Sequence, residues 1–594
     1  MSRFAVVIPV VILSIVTLCV GMFVFRRPPA DPGSGGSGKP EGSPEITLDL
    51  LVDNSASVPP VVSIRFDTLP PADTGMNFQY YGGPSSMNHL TEQNGGGIAL
   101  WDADMDGTLD IFLVNGSSFS RSAEEVGATN RFYRGEGDFR FADSTLPSGL
   151  TAFNFGQGCA VDDYDNDGFP DLFVAGYEHC SLWHNNGDGT FDDMTSQAGI
   201  EIHAFSTSAA FADLNQDGAS DLYVVNYVDW TPEDKPRSQV ASPMDFQGQA
   251  DVLLVNSGDG TFHDAGAEAG IAVNDDGKGL AVAIADINAD GRSDIIVAND
   301  TTRNFLFLND GGLRFQEVGV QKGLAISQDG SIGSSMGIAV SDYNADGQPD
   351  LFVTNFSQEV LDVMMNAGDG GFIATNSELG LDAVSRPLLN FGIVSTDFDL
   401  DGWPDLFFAN GHLWDERPSG GMYQMPPSIL KNSAGTRFVD VSSTAGSYFS
   451  QKWLGRAVAM GDLDSDGDTD LVVSHLQSPH SILRNSCVRS GNSVKVQMIG
   501  TTAARQSLGS RIDVEYTNGE SLYLHVPAGE SFQAAHDPVV VVPVDNDSAI
   551  RTIVVRWSDG KTEKWQDVAS APTISLIQGR GRAMTGSSVT LDDP

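Results

Sequence analysis

Aspartates recur along the chain in one fixed spacing. The segments DADMDGTLD, DYDNDGFPD, DLNQDGASD, DINADGRSD, DYNADGQPD, DFDLDGWPD and DLDSDGDTD begin at Asp102, Asp163, Asp213, Asp286, Asp342, Asp397 and Asp462. Positions one, three, five and nine are Asp or Asn in each, and position six is Gly. The candidate metal ligands are therefore Asp102, Asp104, Asp106 and Asp110; Asp163, Asp165, Asp167 and Asp171; Asp213, Asn215, Asp217 and Asp221; Asp286, Asn288, Asp290 and Asp294; Asp342, Asn344, Asp346 and Asp350; Asp397, Asp399, Asp401 and Asp405; and Asp462, Asp464, Asp466 and Asp470. Calcium takes about six to eight oxygen ligands at about 2.3–2.6 Å. Side chains at one, three and five converge on such an ion if the chain turns tightly, which glycine at six permits. Position seven varies from Thr108 to Trp403, as suits a ligand supplied by the backbone carbonyl.

Like charges this close need a reason. Two carboxylates about 5 Å apart repel by roughly 3 kcal/mol at an effective dielectric of about 20. Repetition of that cost in seven loops points to a cation, with Ca2+ at up to seven sites. Magnesium fits less well because it keeps more of its water. Three loops carry Asn at position three (Asn215, Asn288, Asn344), and fewer carboxylates there imply weaker binding. These are not EF-hands: the residues around position twelve are apolar, where an EF-hand places a bidentate Glu.

The elements that position the loops are strands. Each loop runs into a short apolar segment such as LFVAGY, LYVVNY or LFVTNF, and follows another such as GQGCAV or MGIAVS. Short apolar runs bounded by turn residues read as buried strands. A second motif alternates with the first, as in NNGDGTF, NSGDGTF and NAGDGGF from Asn185, Asn256 and Asn366. Such Asn/Gly turns are hairpin signals. Each repeat thus reads as four antiparallel strands, one propeller blade, and seven repeats predict seven blades. The acidic loops and the Gly hairpins then share one face. The connections from second to third strand lie on the other. Two of these are long: the segment from Val228 in repeat three and that from Gly411 in repeat six, expected on opposite sides of the ring. Their Trp, Pro, Arg and Met suit recognition of a partner.

Composition narrows the function. With 79 acidic and 33 basic residues the net charge is −46, which excludes nucleic acid and disfavours anionic lipid as partners of the folded body. Four cysteines do not make a disulfide scaffold; Cys159 and Cys180 flank one strand pair, and spacing alone leaves their pairing open. Phe4 to Phe25 carries no charge and would span about 33 Å as a helix, enough for a bilayer core. We read it as an uncleaved anchor rather than a cleaved signal. Secretion after cleavage is the alternative. A Pro/Gly/Ser-rich linker follows. The expected organisation is an N-terminal membrane segment over 1–27, a linker over 28–60, a propeller over 61–488, a β-rich domain over 489–582 and a tail over 583–594.

The motifs GQGCAVDDYDNDGFPDLFVAGY and NFGIVSTDFDLDGWPDLFFANG resemble FG-GAP repeats, also called VCBS repeats, of the integrin-α propeller type. The block from Gly75 to Gly116 is similar to the start of cartilage acidic protein-like bacterial proteins. SLGSRIDVEYTNGESLYLHVPAGESFQ and TIVVRWSDGKTEKWQDV resemble the ASPIC/UnbV module. The resemblance implies an all-β, calcium-stabilised, extracytoplasmic binding protein with an unidentified protein or glycan ligand. It implies no catalytic activity. Extracellular calcium sites of about 10⁻⁴–10⁻³ M fill outside the cytoplasm, which places the propeller there, at the cell surface or in the periplasm. The competing class is a secreted or periplasmic enzyme working in the propeller channel or on its face. No HExxH, GxSxG or P-loop pattern occurs, and His412 and His475 are the most suggestive lone histidines.

Overall fold

The computed structural model describes residues 64–584, except 84–88, 118, 120–128, 152–154, 235–240, 273–275, 490, 545–547, 567 and 569–570. The expected membrane segment Phe4–Phe25, the linker and the tail beyond 584 lie outside the described residues. Among the described residues no helix is long and apolar enough to cross a membrane.

Each acidic repeat forms one antiparallel sheet. Six sheets use four consecutive strands, over 98–143, 156–193, 206–264, 279–317, 338–374 and 390–440. The seventh joins Gly455–Gly461, Asp470–His475 and Ser481–Asn485 to the N-terminal strand Phe66–Leu69, with Phe66 opposite Asn485. First strands are rich in Gly and Ala and buried throughout, as in GQGCAVD and GLAVAIA. Small side chains let them approach closely. Each first strand touches the next, and the seventh touches the first. Most fourth strands open on a buried Phe, such as Phe191, Phe262 or Phe315, the last residue of the hairpin motif. The architecture is all-β and propeller-like.

The C-terminal part adds two sheets. Asn492–Ile499 lies between Val540–Val544 and Thr573–Ile577. Arg511–Tyr516 and Ile550–Arg556 pair with each other within a five-stranded sheet. Between His525 and Val540 the chain forms a finger that runs among the first strands of the seven sheets. Ala534–Ala535 pairs in parallel with Ile98–Ala99. Gln533 donates to Gln157 Oε1 at 3.1 Å, and Glu530 N–H donates to the Val282 carbonyl at 2.7 Å. Ser531 exchanges two backbone bonds with Ile338. Phe532 packs on Phe391 of the sixth sheet with ring centroids 5.1 Å apart, and Met460 N–H of the seventh donates to His536 Nδ1. Gly529 passes beside Ala210 of the third. The approach is tight: a Cβ at Gly97 would lie 2.2 Å from the Gln533 carbonyl oxygen. Glu530, Ser531 and Gln533 all adopt positive φ, which costs about 1 kcal/mol or more each and persists only where surroundings impose it.

The Phe66–Leu69 strand joins the first part of the described chain to its last repeat. Phe66 is fully buried and meets Phe398 edge-on at 5.3 Å. Phe66→Ala should therefore destabilise the protein by about 3–5 kcal/mol in denaturant unfolding. A loss below about 1 kcal/mol would contradict a structural role for this strand.

Candidate metal centres and the opposite face

The seven loops share one conformation. The Asp at position one accepts the N–H of position five on Oδ1 and that of the glycine on Oδ2; at Asp163 both distances are 2.9 Å. The same pair of bonds forms at Asp102, Asp213, Asp286, Asp342, Asp397 and Asp462. The Asp at position five accepts the N–H of position seven, as Asp401 does from Trp403 at 3.1 Å. Two residues per loop are left-handed. Glycine at six is one. Position four is the other, although it is never glycine: Met105, Asn166, Gln216, Ala289, Ala345, Leu400 and Ser465 have φ between 56° and 63°. The sequence reading credited the turn to glycine alone. It missed position four, where side-chain identity gives no signal.

Position nine does more than close the loop. Its Oδ1 accepts the N–H of the last residue of the third strand, as Asp294 does from Asn309 at 2.8 Å. In six of the seven loops its Oδ2 accepts the N–H of position two, as Asp294 does from Ile287 at 3.1 Å; Asp350 is the exception. The Asn that ends the third strand then reaches back to the preceding sheet. Its Nδ2 donates to the position-two carbonyl of that sheet's loop: Asn185 to Ala103, Asn256 to Tyr164, Asn309 to Leu214, Asn366 to Ile287, Asn432 to Tyr343 and Asn485 to Phe398, at 2.7–2.9 Å. In the first sheet Gly135 takes this place and has no amide to offer. Of these, Asn185, Asn256 and Asn366 were legible in the sequence only as hairpin residues. Their recurrence at the end of the third strand was the available signal.

The candidate ligands converge. In the loops from Asp102, Asp163 and Asp397, oxygens of positions one, three and nine lie within 4.8 Å of one another, and in the loop from Asp462 those of positions one, three and five do. In the other three loops Asn215, Asn288 and Asn344 donate to the Asp at position five, at 2.8, 3.0 and 3.0 Å. Asp399 Oδ1 and Asp350 Oδ2 are buried without a hydrogen-bond partner. Orphaned buried carboxylate oxygens are rare and costly, and a hard, oxygen-seeking cation satisfies them. The donor set therefore fits such an ion. Basic side chains also enter the loops. Arg134 pairs with Asp104, Lys431 with Asp399 and Asp401, and Lys495 with Asp462. His184 lies 3.4 Å from Asp165 and 3.2 Å from Asp171, and Asp171 chiefly raises its pKa, to about 9.

The C-terminal part covers the acidic end of the sheets. Arg505 N–H donates to Asn166 Oδ1, Gln216 Nε2 to the Ser558 carbonyl, and Arg489 Nη1 to the Asp466 carbonyl.

The opposite end holds an apolar cavity of about 530 Å³. Pro243 and Met244 of the long third-repeat connection line it, as do Leu413 and Trp414 of the sixth-repeat connection. The two connections, expected on opposite sides, thus meet at one cavity. Asp300 lies in its wall and accepts the Tyr227 hydroxyl at 2.6 Å; burial raises its pKa to about 6. His412 is buried against Trp414, with ring centroids 4.6 Å apart. His475 is held between the Tyr448 hydroxyl at 2.9 Å and the Pro479 carbonyl at 2.8 Å. Cys159 and Cys180 are buried free thiols, not a disulfide.

FG-GAP-like repeats match residues 102–174, 163–224, 286–353, 342–408 and 397–473, which together span about half of the chain and every acidic loop. The ASPIC and UnbV family matches residues 500–583. The chain belongs to the FG-GAP-like repeat family. This FG-GAP protein is 25% identical to cartilage acidic protein 1 of Mus musculus over 323 residues, 53% of this chain and 47% of that protein. It is 24% identical to cartilage acidic protein 1 of Homo sapiens, over 53% of this chain and 46% of that one. The match spans about half the length of these curated relatives. Similar solved structures include BBS1N in complex with ARL6DN (11% identity, TM-score 0.40, 71% of this chain, 96% of that one). YCF48 bound to D1 peptide gives 8% identity and a TM-score of 0.38, over 71% of this chain and 98% of that one. An Agrocybe aegerita lectin that recognises non-reducing terminal N-acetylglucosamine gives 17% and 0.36, over 65% and 86%.

Burial holds many loop carboxylates far above the usual range: Asp163 and Asp213 rise to about 7, Asp221 and Asp350 to about 8. The metal-free folded chain then binds more protons than the unfolded chain between about pH 4 and pH 8. Its stability should fall as pH rises through that window. A melting temperature in chelator that stays level or rises from pH 5 to pH 8 would contradict this.

Proposed function

We propose that the protein is a calcium-stabilised, seven-bladed β-propeller that acts as a binding module outside the cytoplasm, tethered through its N-terminal apolar segment. The cyclic contact of the seven first strands and the pairing of Phe66–Leu69 with Ser481–Asn485 support seven blades closed in a ring. The orphaned oxygens of Asp399 and Asp350 support a bound cation, and the extracellular concentration of calcium suits loops of this kind. The calcium is structural. It ties loops that also carry the joints between sheets and the contact with the ASPIC/UnbV part.

The observation that carries the binding reading is the cavity at the other end. It is concave and mostly apolar, with Asp300, Tyr227, Ser334, Thr301, Gln93 and Asn94 among its polar groups, and the two longest connections form part of its wall. The ligand is a protein or glycan segment that places an apolar or ring face against Trp414, Phe356 and Met336. The finger between His525 and Val540 fills the space among the first strands, which supports binding at the face over catalysis in a channel. The His412 side chain packs against aromatic rings, as suits a structural role.

Two measurements test this reading. Removal of calcium by chelator should lower the melting temperature steeply, since a site at 100 times its Kd adds about 2.7 kcal/mol. A melting temperature unchanged by chelator would refute structural calcium. On a glycan and protein array, ligands of the wild type should lose at least about tenfold in affinity with Trp414→Ala, with folding unchanged. Equal binding by Trp414→Ala would place the ligand elsewhere.

A further inference from the structure

The third strands end on one residue pair. The residue before the final Asn, or before Gly135 in the first sheet, is Arg134, His184, Val255, Leu308, Met365, Lys431 and Arg484 in chain order. Position three of the acidic loop in the same order is Asp104, Asp165, Asn215, Asn288, Asn344, Asp399 and Asp464. The two sets correspond without exception. A basic residue stands on the third strand wherever position three is Asp, and an aliphatic residue or Met wherever it is Asn.

The structure gives the reason. Arg134 pairs with Asp104 and lies 3.2 Å from Asp106. His184 lies 3.4 Å from Asp165. Lys431 pairs with Asp399 and lies 2.8 Å from Asp401. Arg484 instead holds Asp67 at 2.9 Å. In the remaining loops the Asn at position three uses its own amide for the Asp at position five. Three of the four-carboxylate loops thus receive a basic side chain from the third strand at position three, and the three Asn loops supply an amide from within. In the fourth loop Arg292 also lies 2.5 Å from Asp290, and in the seventh Arg489 lies 2.5 Å from Asp466.

We propose that Arg134 and Lys431 are built-in counter-cations that set the metal affinity of their loops by competing with the bound ion. This rests on reading the loops as calcium sites. The fourth carboxylate then gives no net advantage, because an ion entering the loop must displace or face a resident positive charge. The ranking by carboxylate number expected from sequence is replaced by near-equal affinity across both classes. Both side chains also hold their loops folded when calcium is scarce.

The sixth loop offers a direct test, because Trp403 occupies position seven. Terbium bound there is excited through Trp403, and the Trp403→Phe protein gives the background. Calcium competition against terbium then reads the affinity of this loop in the full chain. Lys431→Met, and Lys431→Gln as a second variant that keeps a polar group, should tighten calcium binding about tenfold or more. Both should also melt lower than wild type in chelator and recover in calcium. Asp399→Asn combined with Lys431→Met rebuilds the fifth loop's arrangement and should return to within about threefold of wild type. Unchanged or weaker binding in both single variants, or a double variant as tight as the singles, overturns the counter-cation while leaving the calcium reading in place. Absence of any Trp403-dependent terbium signal in all these proteins overturns both.

Discussion

The joint at position nine of each acidic loop constrains the rest of the molecule. One buried carboxylate accepts the N–H of its own loop's second residue and the N–H that ends the third strand. The second residue's carbonyl takes the side-chain amide of the following sheet. Loop, third strand and neighbouring sheet are thus fixed by one group in five of six successive copies, Asp350 lacking the bond from its loop's second residue. Buried bonds of this kind contribute little net when made and are costly when half broken, so the carboxylate, the Asn and the loop conformation must be kept together. Gly135 breaks the series at the first sheet. There the chain uses another device: the seventh sheet is completed by Phe66–Leu69, which brings the start of the described chain to its last repeat.

The same joint draws carboxylates into a small space, and the protein answers the repulsion in layers. Backbone N–H groups solvate positions one, five and nine. Left-handed residues at positions four and six aim those groups inward. Side chains from the third strands meet the extra carboxylate at Asp104, Asp165 and Asp399. Further basic residues come from the ASPIC/UnbV part: Arg505 lies 3.6 Å from Asp163 and Lys495 2.9 Å from Asp462. That part is an electrostatic cover over the acidic end as well as a packing partner. These layers leave some buried oxygens unpaired, the place we propose for a divalent cation. The other end of the sheets holds a mostly apolar cavity.

Much of this was legible in the sequence because the signals were local and repeated. The nine-residue spacing, the apolar runs and the Gly hairpins gave the strands, the loop positions and the four-strand repeat. What stayed hidden was set by contacts far apart in the chain. The bond from Asn309 to Leu214 spans 95 residues, and nothing at either position announces the other. The positive φ at Met105 or Leu400 is imposed by the surrounding bonds, against the preference of the side chain. The finger from Val526 to Val539 reads as an ordinary loop of the ASPIC/UnbV module, and only the assembled sheets provide its groove. The two long connections looked separate because the repeats that bear them are not neighbours; their lengths let both reach one cavity. The correspondence between position three and the third-strand base is written in the sequence. It becomes visible only once the structure shows which strand residue faces which loop residue.

The central claim is that converging carboxylates at fixed spacing are cation sites holding the sheets together. Counting bound metal tests it most directly: the full chain is dialysed against millimolar calcium and its calcium measured by atomic emission against protein concentration. The account predicts about seven calcium ions per chain, one for each acidic loop. Fewer than about one ion per folded chain would contradict it, and the loops would then be held by backbone hydrogen bonds and basic side chains alone.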